Sequence, residues 1–338
     1  MLVNNRYWTL ADPGLNRVRH GLLCGVSAIL LLVSTAVHAQ SATDWLRKMN
    51  RAADDLSYRG TFVYVHDNQI ETMRVVRRTR NGITQERLFA LNGAAREILR
   101  DRQRVWCFLP DKKMGVHQYR QASDKTFPRI LPRDIDELVD NYSLELGARE
   151  RVADRDTQIV KIAPQDEYRY GYNLYVDNDT GLLLRAELLD SQGMPIEQYM
   201  FAEVDIGGVI EDRQLEPRTP RADLVWVGDL ADEQPVAASD LRWAVKDVPN
   251  GFMLSRHIRR LSPMRKQPVE HLVYSDGLAT VSVFVEKKMS ESQSEIHGLS
   301  RMGAVHAFGT MVNEYQITVV GEVPGATVDR MGMSVAMK

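Results

Sequence analysis

The sequence predicts an α+β protein with a large, curved antiparallel sheet in its N-terminal part and a smaller α+β domain at its C terminus. Apolar and polar residues alternate through much of residues 58–204, which is the pattern of strands with one buried face. A proline-containing stretch without any period interrupts this pattern, and alternation resumes after residue 241. With 338 residues, 44% of them hydrophobic and 26% charged, the chain is long enough for two globular domains.

Residues 1–39 have the features of a secretory signal peptide. Arg17 and Arg19 precede a short apolar run at 21–33, and small residues surround position 39, as a signal peptidase requires. A retained membrane anchor is the alternative, but these 13 residues fall short of the roughly 20 that a spanning helix needs. We therefore expect export, with cleavage between Ala39 and Gln40.

Cleavage leaves Cys107 as the only cysteine, because Cys24 lies in the signal peptide. A mature chain with one thiol cannot form an internal disulfide, so its stability has to come from packing. The apolar neighbours Trp106 and Phe108 are expected to raise the pKa of the thiol and make it inert. We expect a buried structural cysteine rather than a nucleophile.

Two helices are expected to accompany the first sheet. Leu46, Met49 and Ala53 recur at helical spacing after Thr43, a candidate N-cap. Residues 132–139 begin with proline and acidic residues, as helices often do. The strands expected in this part of the chain are 60–66, 71–78, 85–91, 105–109, 115–119, 158–162, 170–176, 182–188 and 196–204.

The composition divides the mature chain into residues 40–212, a linker at 213–240 and a second domain at 241–338. Prolines, acidic residues and small residues follow one another in the linker without a period. In the second domain the turn Ser275-Asp276-Gly277 separates strands at 271–274 and 279–285, and a further strand is expected at 315–320. The spacing of Val328, Met331 and Val335 suggests a closing helix.

A curved sheet with helices across it has room for a hydrophobic cavity on its concave face. The alternative is a closed hydrophobic core without a cavity, and the spacing of the apolar residues alone favours this alternative. The residues that we expect to line such a cavity are Phe62, Tyr64, Trp106, Phe108, Ile130 and Leu131.

Basic residues are concentrated in one short stretch. Removing the signal peptide takes three arginines and one aspartate from the 43 basic and 45 acidic residues, which leaves a net charge of about −4, so nucleic acid is not indicated as a partner. The concentrated residues are Arg256, His257, Arg259, Arg260, Arg265 and Lys266. Such a run binds phosphate or an acidic peptide, although a solvated face is an equally good explanation.

No grouping of residues points to catalysis. The six histidines of the mature chain do not pair at a metal-ligand spacing, and neither a nucleophile elbow nor a glycine-rich phosphate loop is present. Asp134, Asp136 and Glu137 are close together, but acids at a helix start are explained by the helix dipole. We expect no enzyme activity, no catalytic residues, no metal and no cofactor.

Several stretches, in the same order in both domains, resemble the MucB/RseB family of periplasmic regulators of an envelope-stress sigma factor (sigma-E or AlgU type). These stretches are Tyr58–Tyr64, Arg87–Leu88, Asn92–Gly93, Arg96–Glu97, Val105–Cys107, Pro249–Phe252, His271–Ala279, Val281–Glu286 and Val319–Pro324. The resemblance covers nearly the whole mature chain, and a set of ordered stretches is far more specific than one short motif.

The resemblance implies a half-open β-barrel with helices, similar to the lipoprotein carriers LolA and LolB, as the first, lipid-sensing domain. It implies a second domain that binds the periplasmic part of a transmembrane anti-sigma factor (similar to RseA or MucA) and protects it from regulated proteolysis. Lipopolysaccharide or another lipid is expected to release the partner, and a homodimer is compatible with the family. For partner contact we favour Arg256, Arg259 and Arg260, because guanidinium groups suit carboxylates and phosphates.

Two other functions remain open at this point. A periplasmic carrier of lipids or lipoproteins, of the LolA/LolB type, needs the same cavity but no second domain. A hydrolase with an unfamiliar site needs a grouping of residues that the motifs do not reveal.

Overall fold

The computed structural model describes residues 40–119, 130–227, 234–235, 242–261, 268–288 and 296–338. The signal-peptide prediction therefore falls outside the described residues. None of the described helices combines the length and the apolar character that crossing a membrane requires.

The N-terminal part forms a single twelve-stranded sheet. In chain order its strands are β1 (Tyr58–His66), β2 (Gln69–Arg80), β3 (Ile83–Ala90), β4 (Glu97–Arg100), β5 (Arg104–Leu109), β6 (Met114–Tyr119), β7 (Tyr142–Val152), β8 (Arg155–Pro164), β9 (Gly171–Asp177), β10 (Leu183–Leu189), β11 (Pro195–Ile206) and β12 (Val225–Val227). Neighbouring strands are antiparallel, except that β12 runs parallel to β6. The spatial order is β12-β6-β5-β4-β3-β2-β1-β11-β10-β9-β8-β7.

The sheet is open, because its edge strands β7 and β12 do not pair with each other in the described part of the chain. The prediction of a large, curved, half-open antiparallel sheet is confirmed. Apart from β12, strands that follow one another along the chain mostly pair with one another, as the short turns between them require.

Helix α1 (Ala42–Asp55) covers one face of this sheet. Its N-cap is Ser41 and not Thr43, because the Ser41 hydroxyl accepts from the backbone N–H of Asp44 at 3.2 Å while the Asp44 carboxylate accepts from the N–H of Ser41 at 3.0 Å. This reciprocal pair is a capping box. The helix buries Trp45, Leu46 and Met49 in the core.

The prediction of a helix at 132–139 is wrong. The chain forms only a single 3-10 turn at Asp136–Leu138. The acidic side chains serve other contacts: Asp134 accepts from the backbone of Asp136 at 3.0 Å, and Asp136 pairs with Arg47 of α1. The apolar spacing still has a purpose, since Ile135 and Leu138 are buried in the core.

A second sheet of seven strands forms the C-terminal part. The remaining strands are β13 (Gln234–Pro235), β14 (Trp243–Val245), β15 (Met253–Leu261), β16 (Pro268–Ser275), β17 (Thr280–Lys287), β18 (Gly298–Met302), β19 (Val305–Val312), β20 (Tyr315–Gly321) and β21 (Val335–Met337). The order in the second sheet is β13-β15-β16-β17-β20-β19-β18, and β14 pairs separately with β21.

The closing helix is α2 (Gly325–Met333), which packs on β19 and β20. Val328 and Met331 are fully buried in the core of this domain, as their spacing predicted. Val335 belongs to β21 instead of the helix, which ends at Met333. We call the first sheet with α1 the first domain, and the second sheet with α2, β14 and β21 the second domain.

Part of the predicted linker packs against the first sheet. We call residues 212–227 the strap. Its Leu224 is buried with Leu99 and Phe108, and its last three residues form β12. Farther along, β13 pairs with β15 of the second sheet, so the described parts of this region contact both sheets.

Candidate binding groove between the two sheets

A groove with a volume of about 920 Å³ lies where the two domains meet. The first domain contributes Glu137, within the 3-10 turn, and Asp140 and Asn141, which follow it. The second domain contributes residues 248–255 and 275–277. This volume is within the range of ligand-binding clefts in proteins. Two apolar side chains of its wall are open to solvent: Met253 is 73% exposed and Leu254 is 41% exposed.

The groove is held together by an ion pair that crosses the junction. Arg169, on the connection between β8 and β9, donates from Nε to Oδ2 of Asp276 at 2.5 Å. Both side chains are fully buried. The hydroxyl of Tyr142 donates to the same carboxylate oxygen at 2.9 Å. A buried pair of this kind is tolerated when further hydrogen bonds satisfy both groups.

Both oxygens of the Asp276 carboxylate accept hydrogen bonds, because Asp276 also stabilises the turn between β16 and β17. Its Oδ1 accepts from the backbone N–H groups of Leu278 at 2.9 Å and Ala279 at 2.6 Å. The prediction of a turn at 275–277 is confirmed. Burial, together with the adjacent Asp276 carboxylate, raises the pKa of Tyr142 well above its usual value, so this hydroxyl stays a donor.

Other contacts extend the junction on both sides of Arg169. Thr327 of α2 donates to the backbone oxygen of Tyr168 at 2.8 Å. The hydroxyl of Tyr170 donates to the backbone oxygen of Ala304 at 3.2 Å. Leu278, from the second domain, is 0% exposed and belongs to the hydrophobic core of the first. The two domains therefore share buried apolar surface as well as polar contacts.

The predicted partner-binding arginines lie on β15, the strand whose first residues line the groove. Arg259 donates to Glu270 at 2.9 Å and remains partly exposed. Arg256 is partly buried. The side chain of Arg260 and residues 265 and 266 lie outside the described residues.

A histidine of the basic stretch has a structural role. His257 is buried beside Glu270, with 3.0 Å between Nε2 of the ring and Oε2 of the carboxylate. Burial lowers the pKa of His257, and the Glu270 carboxylate only partly opposes this effect.

The six predicted cavity residues are divided between two faces of the first sheet. The strand register places Phe62 on the same face as Ile98 and Cys107. Trp106 and Phe108 flank Cys107 in β5, so they point to the opposite face. The structure therefore does not bring these six residues together around one hollow.

On the inner face, which α1 covers, Phe62 and Leu131 are buried in the main core. Tyr64 and Ile130 are partly buried at its margin, and the Tyr64 hydroxyl donates to Glu197. On the outer face, Phe108 meets Trp226 of the strap edge to face, with 5.2 Å between ring centroids.

The side chain of Cys107 is half-buried, and burial raises the pKa of its thiol. A raised pKa keeps the thiol protonated and unreactive. Among the residues that the structure describes, no three histidine, cysteine, aspartate or glutamate side chains are grouped so as to hold a metal ion.

Sequence reasoning missed the central residue of the junction. Arg169 carries no local signal, because an arginine after a strand is usually solvated. Asp276 was assigned to the turn alone, which is correct but incomplete, since one of its oxygens reaches the other domain. A charged residue in a turn gives no indication of a partner that lies 107 positions away.

Comparison with known proteins assigns both domains. The family models described as the MucB/RseB N-terminal domain and the MucB/RseB C-terminal domain match residues 41–219 and 237–336. The chain belongs to the MucB/RseB family. The sequence resemblance is confirmed over the same part of the chain that the two sheets occupy.

Relatives in this family match over nearly their whole length. The sigma factor AlgU regulatory protein MucB of Pseudomonas aeruginosa is 31% identical, over 90% of this chain and 94% of the relative. The sigma-E factor regulatory protein RseB of Haemophilus influenzae is 27% identical, over 92% and 96%. The solved MucA/MucB complex of Pseudomonas aeruginosa superimposes with a TM-score of 0.68 at 30% identity, covering 88% of this chain and 99% of that one.

Proposed function

We propose that this chain is a periplasmic regulatory protein that binds the periplasmic segment of a transmembrane anti-sigma factor and does no chemistry itself. The observation that carries the proposal is the match of both domains to a protein solved as a complex with MucA. The groove between the domains supports it, because its wall has exposed apolar side chains as well as hydrogen-bonding groups.

The groove offers different chemistry at its two sides. Glu137 and Asp140 provide carboxylates on the side of the first domain. On the opposite side β15 continues from the groove into Arg256 and Arg259. A peptide with an apolar centre and charges of both signs complements these surfaces, and complementary charges select the partner and its orientation. We therefore place the partner along the groove and the first part of β15.

Binding explains protection from proteolysis, because a protease needs an accessible, extended segment of its substrate. The test is to incubate the anti-sigma segment from the same organism with a protease, with and without the mature protein. We expect slower cleavage when the protein is present. Equal cleavage rates at protein concentrations well above that of the segment would contradict the proposal.

The basic strand is tested in the same assay. Reversal of charge in the Arg256→Glu variant is expected to weaken binding about tenfold, or roughly 1.4 kcal/mol. Arg259 is left unchanged, because a glutamate at that position would lie beside the Glu270 carboxylate. The control is Arg242→Glu, next to β14 in the same domain, where the side chain is exposed.

We propose further that a lipid such as lipopolysaccharide releases the partner. Two apolar surfaces of the first domain are candidates: the inner face near Tyr64 and Ile130, and the outer face near Trp106 under the strap. If lipid favours an arrangement of the domains that the partner disfavours, each ligand weakens the other by the same factor. Adding lipopolysaccharide to the protease assay should then restore cleavage of the anti-sigma segment. In the absence of the protein, lipopolysaccharide should not change the rate at which the segment is cleaved.

The carrier function remains the second candidate, because the first sheet is open. The second domain distinguishes the two functions. A carrier can transfer its cargo with the first domain alone. The regulator needs both domains, because each of them forms one wall of the groove that binds the partner. Extraction of labelled lipid or lipoprotein from membranes, at a rate unaffected by the anti-sigma segment, would favour the carrier.

We propose that the protein acts in the periplasm after removal of residues 1–39. Cleavage before Gln40 preserves Ser41 and therefore the capping box of α1. Amino-terminal sequencing of the exported protein should begin at Gln40. Sedimentation of the same material tests whether it forms a homodimer.

A further inference from the structure

The second-domain wall of the groove rests on one arginine of the first domain. Asn250, Phe252 and Asp276 all line the groove, and all three contact Arg169. Arg169 lies behind this wall and is only 1% exposed. An incoming peptide therefore meets the residues that Arg169 holds rather than Arg169 itself.

We propose that Arg169 is a positioning residue for partner binding, which makes the affinity of the groove depend on how the two domains are joined. The inference rests on the proposed function, since it concerns the same groove. It assigns a regulatory role to a residue that does not touch the partner.

The guanidinium uses its nitrogens on both sides of the junction. Nε donates to Asp276, and Nη2 donates to the backbone oxygen of Asn250. Nη1 donates to Asp166 of its own domain, and the oxygen of the Asn141 side chain lies 3.5 Å from Nη2. The planar group also stacks on Phe252, with 4.7 Å from its central carbon to the ring centroid. Arginine can satisfy this many acceptors at fixed angles, and lysine cannot.

Removing this side chain leaves the groove wall without its support. The Asp276 carboxylate would keep the Tyr142 hydroxyl and two backbone N–H groups but would lose the guanidinium that balances its charge. A buried carboxylate without a counter-charge is costly. The turn at 275–277 and the loop at 248–252 would then move towards water, and both of them form the groove.

The position of Arg169 in the chain connects it to other contacts. Its neighbours Tyr168 and Tyr170 bond to Thr327 and Ala304 of the second domain. Residues 168–170 therefore form a bridge in which each member contacts the second domain. A conformational change in the first domain that displaces these residues would also move the groove wall that they contact. Such a continuous chain of contacts is the physical requirement for coupling between two sites.

The test compares Arg169→Gln with Arg169→Lys and with a matched control. The control is Arg155→Gln, because Arg155 forms a two-point pair with the buried Asp177 wholly within the first domain. Affinity for the anti-sigma segment is measured by titration calorimetry on the full mature chain. We expect Arg169→Gln to lose at least tenfold in affinity and Arg169→Lys to recover part of the loss. Arg155→Gln should bind as the wild type does.

Hydrogen exchange provides a reading that is independent of the partner. In Arg169→Gln, amides of residues 248–255 and 275–279 should exchange faster, while those of β1 remain protected. A folded Arg169→Gln protein with unchanged exchange in these segments, or with unchanged affinity, overturns the proposal. An equal loss of affinity in Arg155→Gln also overturns it, because the effect would then be general destabilisation.

A milder variant covers the case in which Arg169→Gln does not fold. Tyr142→Phe removes one hydrogen bond to Asp276 and keeps the ion pair, so we expect a two- to fivefold loss of affinity with faster exchange at 275–279. An unchanged affinity and exchange in this variant would count against the proposal. If the wild-type chain does not bind the segment at all, the proposed function fails, whereas the exchange results still decide whether Arg169 positions the groove wall.

Discussion

At the scale of single residues, this protein places several charged side chains inside its domains. Arg77 pairs with the buried Glu86 at 3.0 Å, and Arg87 pairs with the buried Glu97. Each of these arginines also donates to a backbone oxygen, of Ala53 and Gln214 respectively. Such pairs fix one arrangement of neighbouring segments, because any other arrangement leaves a charge without a partner.

A buried histidine gives the second domain a predicted pH dependence. Burial lowers the pKa of His257 below its usual 6.5, although Glu270 and Arg259 lie beside it and act in opposite directions. The unfolded chain therefore binds a proton more readily than the folded one, so the free energy of unfolding falls as the pH drops below about 6.5.

This expectation is tested by denaturant unfolding between pH 7.5 and pH 5. His257→Asn should have a shallower dependence of unfolding free energy on pH than the wild type. Substitution of the exposed His297 provides the control, since its environment is open to solvent. Identical pH profiles for His257→Asn and the wild type would show that this histidine does not titrate differently on folding.

At the scale of elements, the strap shows how a segment without periodicity is held in place. The guanidinium of Arg218 lies 4.1 Å above the Phe89 ring, and that of Arg221 lies 4.7 Å above the Trp106 ring. The backbone N–H of Arg218 donates to Glu97 at 3.0 Å. These contacts cover apolar surface on the outer face of the sheet, which would otherwise be exposed to water.

Trp226 is expected to anchor the end of the strap. Its ring packs on Phe108, and its Nε1 donates to the backbone oxygen of Arg221 at 2.9 Å. Trp226→Ala should cost about 1–3 kcal/mol, less than for a fully buried tryptophan because the ring is only partly buried. Trypsin should then cleave faster after Arg218 and Arg221.

The control for this prediction is Val227→Ala, in the same strand, where the side chain is 48% exposed. Equal cleavage rates in the wild type and Trp226→Ala would mean that the strap is held by its arginines alone.

At the scale of the whole molecule, the two domains behave as one packed unit because a residue of the second completes the core of the first. Leu278 is 0% exposed among residues of the first domain. Leu278→Ala should destabilise the protein by about 2–5 kcal/mol, as is usual for a fully buried leucine. The loss should appear in the global unfolding measured by circular dichroism in urea.

Leu299→Ala is the matched control, because Leu299 is 54% exposed in the second sheet. A cost for Leu278→Ala no greater than that of the control would mean that the junction contributes little to stability.

The alternation of side chains was sufficient to predict most strands of the first sheet and the hairpin around 275–277. It missed several other strands, including β4, β18 and β19. It also missed β7 and β15, whose sequences contain charged residues on both faces. β7 is an edge strand, and edge strands carry charges that prevent further pairing. In β15 the polar side chains of His257 and Arg259 both contact Glu270 of β16, which lies opposite Arg259.

The sequence by itself determined the two-sheet architecture and the family, because these follow from local periodicity and ordered motifs. The tertiary structure alone decided which face each aromatic residue takes, where the strap packs and which charges are buried. The pairing of Arg169 with Asp276 belongs to this second group. Local patterns report the environment of a residue along its own strand, whereas a partner in another domain is selected by the packing of the whole chain.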